Sequence, residues 1–282
     1  MIRILGRRCA YVIMFVVVGW YVLFSRRVRA SCRPYLSRRF PGRTGALQRL
    51  LDSYRRVCWL GRTLVDRAAF GILGPHCLQI TFPEGQQLVE LIDEGAGVVL
   101  VNSHVGCWQV AMAAFLNIDV PVSIVMHRAP GDLDQHYFEH QSADSPVQII
   151  DPAGPMGGIM EMIEALRSKH LLGLMGDRIF GDDENTVEVD FLGARVHFPV
   201  APYRLASMQG SPVAVVFSHK SSFSEYGLRL ARVIRVPAGL GRDNEAYRPY
   251  IEEFARALEE YCQSHPFQFF NFHDMWELGE SA

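Results

Sequence analysis

Residues 97–109 read GVVLVNSHVGCWQ, and this stretch decides the fold. Val98, Val99, Leu100 and Val101 are aliphatic at every position, so they predict a strand buried on both faces rather than a half-exposed one. Asn102 and Ser103 end the strand, His104 follows directly, and Gly106 marks a short turn. A helix is expected over 108–116. The same alternation continues outward. Strands are expected over 122–127, 171–176 (LLGLMG), 212–219 and 228–236, and helices over 87–93, 156–170, 199–209 and 244–264. Residues 186–196 alternate in hydropathy around Leu192-Gly193-Ala194, which reads as a hairpin turn. An aromatic tail covers 267–276. Strands separated by helices predict an α/β fold: a single domain with a mixed, mostly parallel sheet flanked by helices.

Ahead of this domain, 9–24 is an uncharged run, CAYVIMFVVVGWYVLF, slightly short of the roughly 20 residues that span a bilayer. Trp20 and Tyr21 suit the membrane interface. Val28-Arg29-Ala30 loosely resembles a signal-peptidase site, but Arg26, Arg27, Arg29, Arg33, Arg38 and Arg39 follow the apolar run and oppose export. The expectation is therefore an uncleaved anchor with the globular part in the cytoplasm, either spanning or lying in one leaflet. Residues 1–42 are read as anchor and basic juxtamembrane segment, and 43–282 as the domain. The chain is 49% hydrophobic and 21% charged, enough for a full core, and its net charge of -2 hides an asymmetry. Between Arg26 and Arg67 only Asp52 and Asp66 are acidic. A basic belt beside an apolar segment points to an anionic membrane surface before nucleic acid. Residues 43–70 have helical periodicity, with Leu47, Leu50, Leu51, Tyr54, Val57 and Cys58 on one side and arginines on the other; such a helix lies on a membrane or packs on the domain. The six cysteines are scattered without CxxC or Cys/His spacing, which argues against a disulfide framework or a metal site.

Chemistry in open α/β sheets gathers at the carboxyl ends of strands. Two predicted strands end in ionisable groups: His104 after 97–103, and Asp177-Arg178 after LLGLMG. The sequence Ser103-His104-Val105-Gly106-Cys107-Trp108-Gln109 resembles the "S-H-x-G-n-W-E" block of the lysophospholipid acyltransferase superfamily, closest to the branch of the late acyltransferases of lipid A synthesis. Gly176-Asp177-Arg178, Val187 to Gly193, Phe198-Pro199 and Pro202 resemble that branch's later blocks, in order and spacing. So do the apolar N-terminus and His265-Pro266-Phe267-Gln268 leading to Trp276.

The resemblance implies an O-acyltransferase of the bacterial inner membrane, with its catalytic domain on the cytoplasmic side. It would carry a fatty acyl chain from a thioester on coenzyme A or acyl carrier protein to a hydroxyl of a membrane lipid or glycolipid. The thioester is a co-substrate, and no cofactor is implied. His104 is then the general base, because a hydroxyl is a poor nucleophile until a positioned imidazole takes its proton. Arg178, with Arg128 after the second strand, would contact a phosphate or the developing oxyanion. Ser103 and Trp108 flank His104 and count among the substrate-binding residues, although Ser103 also reads as a plain turn residue.

One position departs from the family pattern. An Asp or Glu belongs five residues after the histidine, where this chain has Gln109. Either Asp177 reaches His104 across the strand ends and supplies the charge, or the reaction runs on Gln109 alone, or catalysis is lost and lipid binding kept. Cys107 offers a thiol nucleophile to His104, but the turn directs it into the core. His127, His136 and His140 have no readable metal geometry. The run Asp182-Asp183-Glu184 suggests a rival, a membrane-associated glycosyltransferase that holds a divalent cation, but it lacks D-x-D spacing.

Overall fold

The computed structural model describes residues 2–115, 120–126, 147–179 and 185–277. Its centre is strand β2 (Val98–Asn102), as the aliphatic run requires. A seven-stranded sheet has the order β1-β9-β8-β2-β5-β3-β4. Its other strands are β1 (Gln79–Thr81), β3 (Val122–Val125), β4 (Val147–Ile150), β5 (Leu171–Met175), β8 (Val213–Lys220) and β9 (Glu225–Ile234). All neighbours are parallel except β8 and β9. Val99 and Val101 enter a core closed by α6 (Ile159–Arg167), α7 (Ala201–Gln209) and α8 (Arg248–Ser264), through residues such as Leu166, Tyr203 and Phe254. Val98 and Leu100 enter a second core under α4 (Gly85–Asp93) and α5 (Trp108–Phe115). Covering on both faces is why Val98, Val99, Leu100 and Val101 are all apolar. Each large side chain buried this way stabilises the fold by about 1.5–3 kcal/mol. A separate hairpin, β6 (Thr186–Phe191) and β7 (Ala194–Pro199), turns at Leu192-Gly193 as expected.

The edge strands β1 and β4 escape the sequence reading because they are short and poorly buried. The helix expected from 156 starts only at Ile159. Met156, Gly157 and Gly158 take φ of 54°, 69° and 70°, which an α-helix cannot hold.

Three helices precede the sheet: α1 (Ile2–Phe24), α2 (Arg26–Arg39) and α3 (Ala46–Leu73). Within α1, Gly6–Phe24 is long and apolar enough to cross a membrane by length and composition. One side of α1 lies antiparallel along α3. Its Tyr11 hydroxyl donates to Asp66 at 2.6 Å, the Tyr54 hydroxyl donates to Phe15 O at 3.3 Å, and Val18 and Val22 pack on Cys58. The other side exposes Val12, Val16, Trp20 and Phe24. Helix α2 is no mere linker, for Cys32, Tyr35 and Leu36 sit in the main core.

The amphipathic reading of 43–70 needs correction. Leu47 and Leu51 of the expected apolar stripe are 70% and 46% exposed, whereas Arg56 of the expected basic face is wholly buried. Cys58 of the expected apolar stripe does pack on α1, with Leu50, Tyr54 and Val57 against it, but a second buried stripe is polar: Asp52, Ser53, Arg56, Thr63 and Asp66 are buried at helical spacing. The partners make this possible. Arg56 donates to the carbonyls of Cys32 (3.1 Å), Phe269 (3.2 Å) and Asn271, between the rings of Tyr35 and Phe272. Asp66 accepts from Tyr11 and Tyr226 and pairs with Lys220 Nζ at 2.6 Å, which ties α1 and α3 to the β8–β9 pair.

Arg56→Met should strand these carbonyls in the interior and destabilise the protein by about 3 kcal/mol or more. In detergent that corresponds to a thermal midpoint lowered by roughly 6–12 °C. A midpoint unchanged within error would refute the structural role given to Arg56.

Candidate active site

Parallel pairing of β2 with β5 sets Asn102 opposite Met175. Two residues further along each strand stand His104 and Asp177, so equal steps from one register pair bring them together. His104 Nδ1 lies 2.9 and 3.1 Å from the two Asp177 oxygens, and the His104 backbone N–H donates to Asp177 Oδ2 at 3.0 Å. Gly176, between β5 and the aspartate, allows this approach. A Cβ there would fall 2.6 Å from Val101 Cγ1 and 2.7 Å from Phe254 Cζ.

The Asp177 side chain is wholly buried, while that of His104 is 22% exposed. Burial works to raise the Asp177 carboxyl. The facing His104 charge, and hydrogen bonds from its ring and backbone, outweigh burial and hold the carboxyl below the usual range. Asp177 is thus ionised, which makes Nδ1 the donor and leaves Nε2 as the ring's basic atom. Ser103 is buried without a well-formed hydrogen bond for its hydroxyl, although its proximity helps to hold Asp177 down.

The loop after β2 is fixed from behind. Gly106 has φ +55°, and a Cβ on it would meet the Ser218 carbonyl oxygen at 2.1 Å. Ser218 Oγ accepts from Cys107 N at 3.0 Å and donates to Val105 O at 3.2 Å. On the other side runs the C-terminal tail. Phe270 N donates to His104 O at 2.7 Å, Gly106 N donates to Gln268 O at 3.1 Å, and Val105 bridges to Phe269. The Gln268 amide exchanges two hydrogen bonds with the Lys220 backbone and so anchors the tail to β8. Gln268, the last residue of the sequence block from His265, and the two phenylalanines after it therefore hold the histidine loop in place.

His104 opens into a cavity of about 480 Å³ between α3, α5 and the sheet. Leu60, Leu64, Leu100, Met112, Phe115 and Ile124 give it apolar walls, and His104, Gln109, Arg67 and Arg178 give it polar points. The volume lies within the roughly 300–1,000 Å³ of small-molecule sites. Arg178 is exposed at the same edge and pairs with no carboxylate among the described residues; Asp190 instead faces Arg195. Trp108 lines the cavity at the start of α5. Gln109 is buried at its wall, with its oxygen 3.5 Å from Cys107 Sγ, whereas the carboxylate on the imidazole comes from Asp177. Cys107 is buried, as its place in the turn predicts.

Arg128, His127, His136, His140 and the run 182–184 lie outside the described residues. Two groups were not anticipated. Arg67 reaches the cavity from α3, and its sequence context is only one arginine among many. His273, in the tail, is depressed by burial, with Arg178 and His104 nearby opposing its charge. No strand end announces His273, because the irregular tail that carries it is placed only by tertiary contacts.

A family model described as bacterial lipid A biosynthesis acyltransferase matches residues 1–277. No curated protein matches the chain significantly.

The tail also contains a pH-sensitive point. The His265 ring stacks on Tyr261 and lies 4.5 Å from His219, centroid to centroid. Burial, with the nearby His219 and Arg229 charges, pushes His265 down to about 4. The unfolded chain then binds more protons than the folded one between pH of about 6.5 and about 4, so stability falls as pH drops through that window. The thermal midpoint should fall with acid, and less steeply in His265→Gln. Equal slopes would show that His265 titrates normally.

Gly106→Ala should force the loop away from β8. The expected result is loss of more than about 90% of activity with the domain still folded, since a misplacement of about 1 Å already costs roughly a hundredfold. Activity and far-ultraviolet circular dichroism, measured together, check this.

Proposed function

The chain belongs to the bacterial lipid A biosynthesis acyltransferase family, an acyltransferase family acting on lipid, and from that premise we propose its reaction and the residues that carry it out. A fatty acyl chain passes from a thioester, on coenzyme A or acyl carrier protein, to a hydroxyl of a membrane lipid or glycolipid acceptor. The reaction takes place at the cytoplasmic face of the bacterial inner membrane, where α1 and the arginines after it hold the domain. The observation that carries this reading is the His104–Asp177 pair, mounted on two adjacent strand ends and facing an apolar cavity.

The acceptor hydroxyl approaches Nε2 of His104. As its oxygen attacks the thioester carbonyl, the proton passes to Nε2 and an imidazolium forms against the Asp177 carboxylate. General-base assistance of this kind contributes about 10²–10⁴ in rate. The carbonyl oxygen becomes an oxyanion, and Arg178 at the rim of the cavity supplies a fixed positive charge for it. Collapse of the tetrahedral species breaks the carbon–sulfur bond. The thiolate departs and takes the proton from His104, leaving an ester, a free thiol and a neutral imidazole. The acyl chain lies against Leu100, Met112 and Phe115, away from water.

This reading sets His104 and Asp177 apart from their neighbours. Mass spectrometry of total lipids should find one lipid lacking a single acyl chain both in cells without the gene and in cells carrying His104→Ala. Asp177→Asn should cost about 10⁴ in rate, as loss of the orienting carboxylate does in a serine-protease triad. Gln109→Met, isosteric and neutral, should cost about tenfold at most, because its amide contributes no charge to the imidazolium. A larger loss from Gln109→Met than from Asp177→Asn would move the orienting role to Gln109. A His104→Ala strain with wild-type lipids would reduce the protein to a lipid binder.

A further inference from the structure

A second cavity, of about 560 Å³, lies between α2 and α3, apart from the His104 site. Arg29, Arg33, Arg43 and Arg49 line it, with Asp52 the only acid. Arg43 satisfies Asp52 at 2.8 Å, so the remaining arginines leave a clear positive excess. The Arg33 side chain is exposed and makes no hydrogen bond or ion pair with a described residue. Arg29 and Arg49 are held from behind. Arg29 donates to the carbonyls of Val22 and Leu23 at 2.7 Å, and Arg49 donates to Thr44 O at 2.9 Å. Helix α3 begins in the same cleft at Gly45, without a side-chain cap and without an acid in its first turn. Its free N–H groups and dipole therefore add to the positive field.

The surroundings are apolar. Leu36, Phe40 and Leu50 form the inner wall, and Leu47 stands exposed at the mouth. Through Arg29 the cleft touches the carboxyl end of α1, where Trp20, Tyr21, Leu23 and Phe24 are exposed. A fixed group of arginines under a rim of apolar side chains matches an anion that carries hydrocarbon. It matches a free ion or an acidic protein face poorly, since neither uses the exposed leucine and aromatics.

We propose that this cleft seats the phosphate headgroup of an anionic phospholipid from the membrane leaflet, with the lipid chains lying against Leu47 and the end of α1. The site is separate from the catalytic pair and sets the height and tilt at which the His104 cavity meets the membrane.

The test is native mass spectrometry of the full chain, delipidated in detergent and titrated in turn with phosphatidylglycerol, phosphatidylcholine, inorganic phosphate and acyl carrier protein. The wild type should retain a single phosphatidylglycerol and no phosphatidylcholine. Arg33→Gln/Arg49→Gln should raise the phosphatidylglycerol concentration for half occupancy about thirtyfold, from two interfacial arginines lost. Arg26→Gln/Arg27→Gln removes equal charge outside the cleft and should change it about twofold at most. Thermal midpoints without lipid, equal among the three proteins, exclude misfolding. Equal weakening in both variants overturns the proposal in favour of diffuse charge. Saturation by inorganic phosphate alone overturns it in favour of a free-anion site. Loss of acyl carrier protein binding with phosphatidylglycerol binding intact overturns it in favour of a protein dock. His104→Ala should bind phosphatidylglycerol as the wild type does, so failure of the catalytic reading is distinguishable from failure of this one.

Discussion

The guanidinium of Arg56 holds this architecture together. It is wholly buried and satisfied by main-chain carbonyls from two distant segments, Cys32 in α2 and Phe269 and Asn271 in the tail. A buried cation without such partners is costly, so the helices and the tail are fixed together or not at all. The consequence reaches the site. The tail that gives Arg56 its carbonyls is the one whose Phe270 N–H binds His104 O, so the N-terminal helices and the histidine loop share one strip of backbone. The planar fork of arginine suits this task, because it presents several donors at once to carbonyls arriving from different directions.

The second constraint is strand register. Parallel neighbours present equivalent positions at the same edge, and His104 and Asp177 each stand two residues beyond the pair Asn102–Met175. Neither residue needs a long side chain or a special rotamer to reach the other. Both stand just past two adjacent strands at the centre of the sheet, which leaves the imidazole little freedom to leave its partner. The close contacts at Gly176 and Gly106 follow from this mounting, since each strand must turn sharply while still touching its neighbour.

How much of this was legible depended on whether the signal was local. The run VVLV, the strand LLGLMG and the hairpin at Leu192-Gly193 were readable because burial on one or both faces dictates their periodicity. Edge strands β1 and β4 were not, because three or four half-exposed residues carry no period. The approach of Asp177 to His104 is one of three readings of Gln109, and it becomes visible only in the register of β2 and β5. Arg56 is misread for the opposite reason. Helical periodicity says which residues share a face, but not which faces are buried, and here α3 buries a polar stripe as well as an apolar one. Arg67 reaches the cavity, and His273 the neighbourhood of Arg178 and His104, through tertiary packing alone, and neither leaves a mark in its neighbouring residues.

Gln109 takes on a different meaning once the pair is in view. The imidazole has two nitrogens, and Asp177 occupies Nδ1 with both carboxylate oxygens while also accepting the His104 backbone N–H. A second carboxylate on the ring would have to take Nε2, the atom that the proposed mechanism leaves to the acceptor hydroxyl. It would also place two negative charges beside one imidazolium in a buried setting, and one of them would be driven to protonate. A neutral amide at position 109 avoids both costs. Position 109 thus gives the cavity wall a neutral amide, and the carboxylate that faces the imidazole comes from Asp177 on the neighbouring strand end.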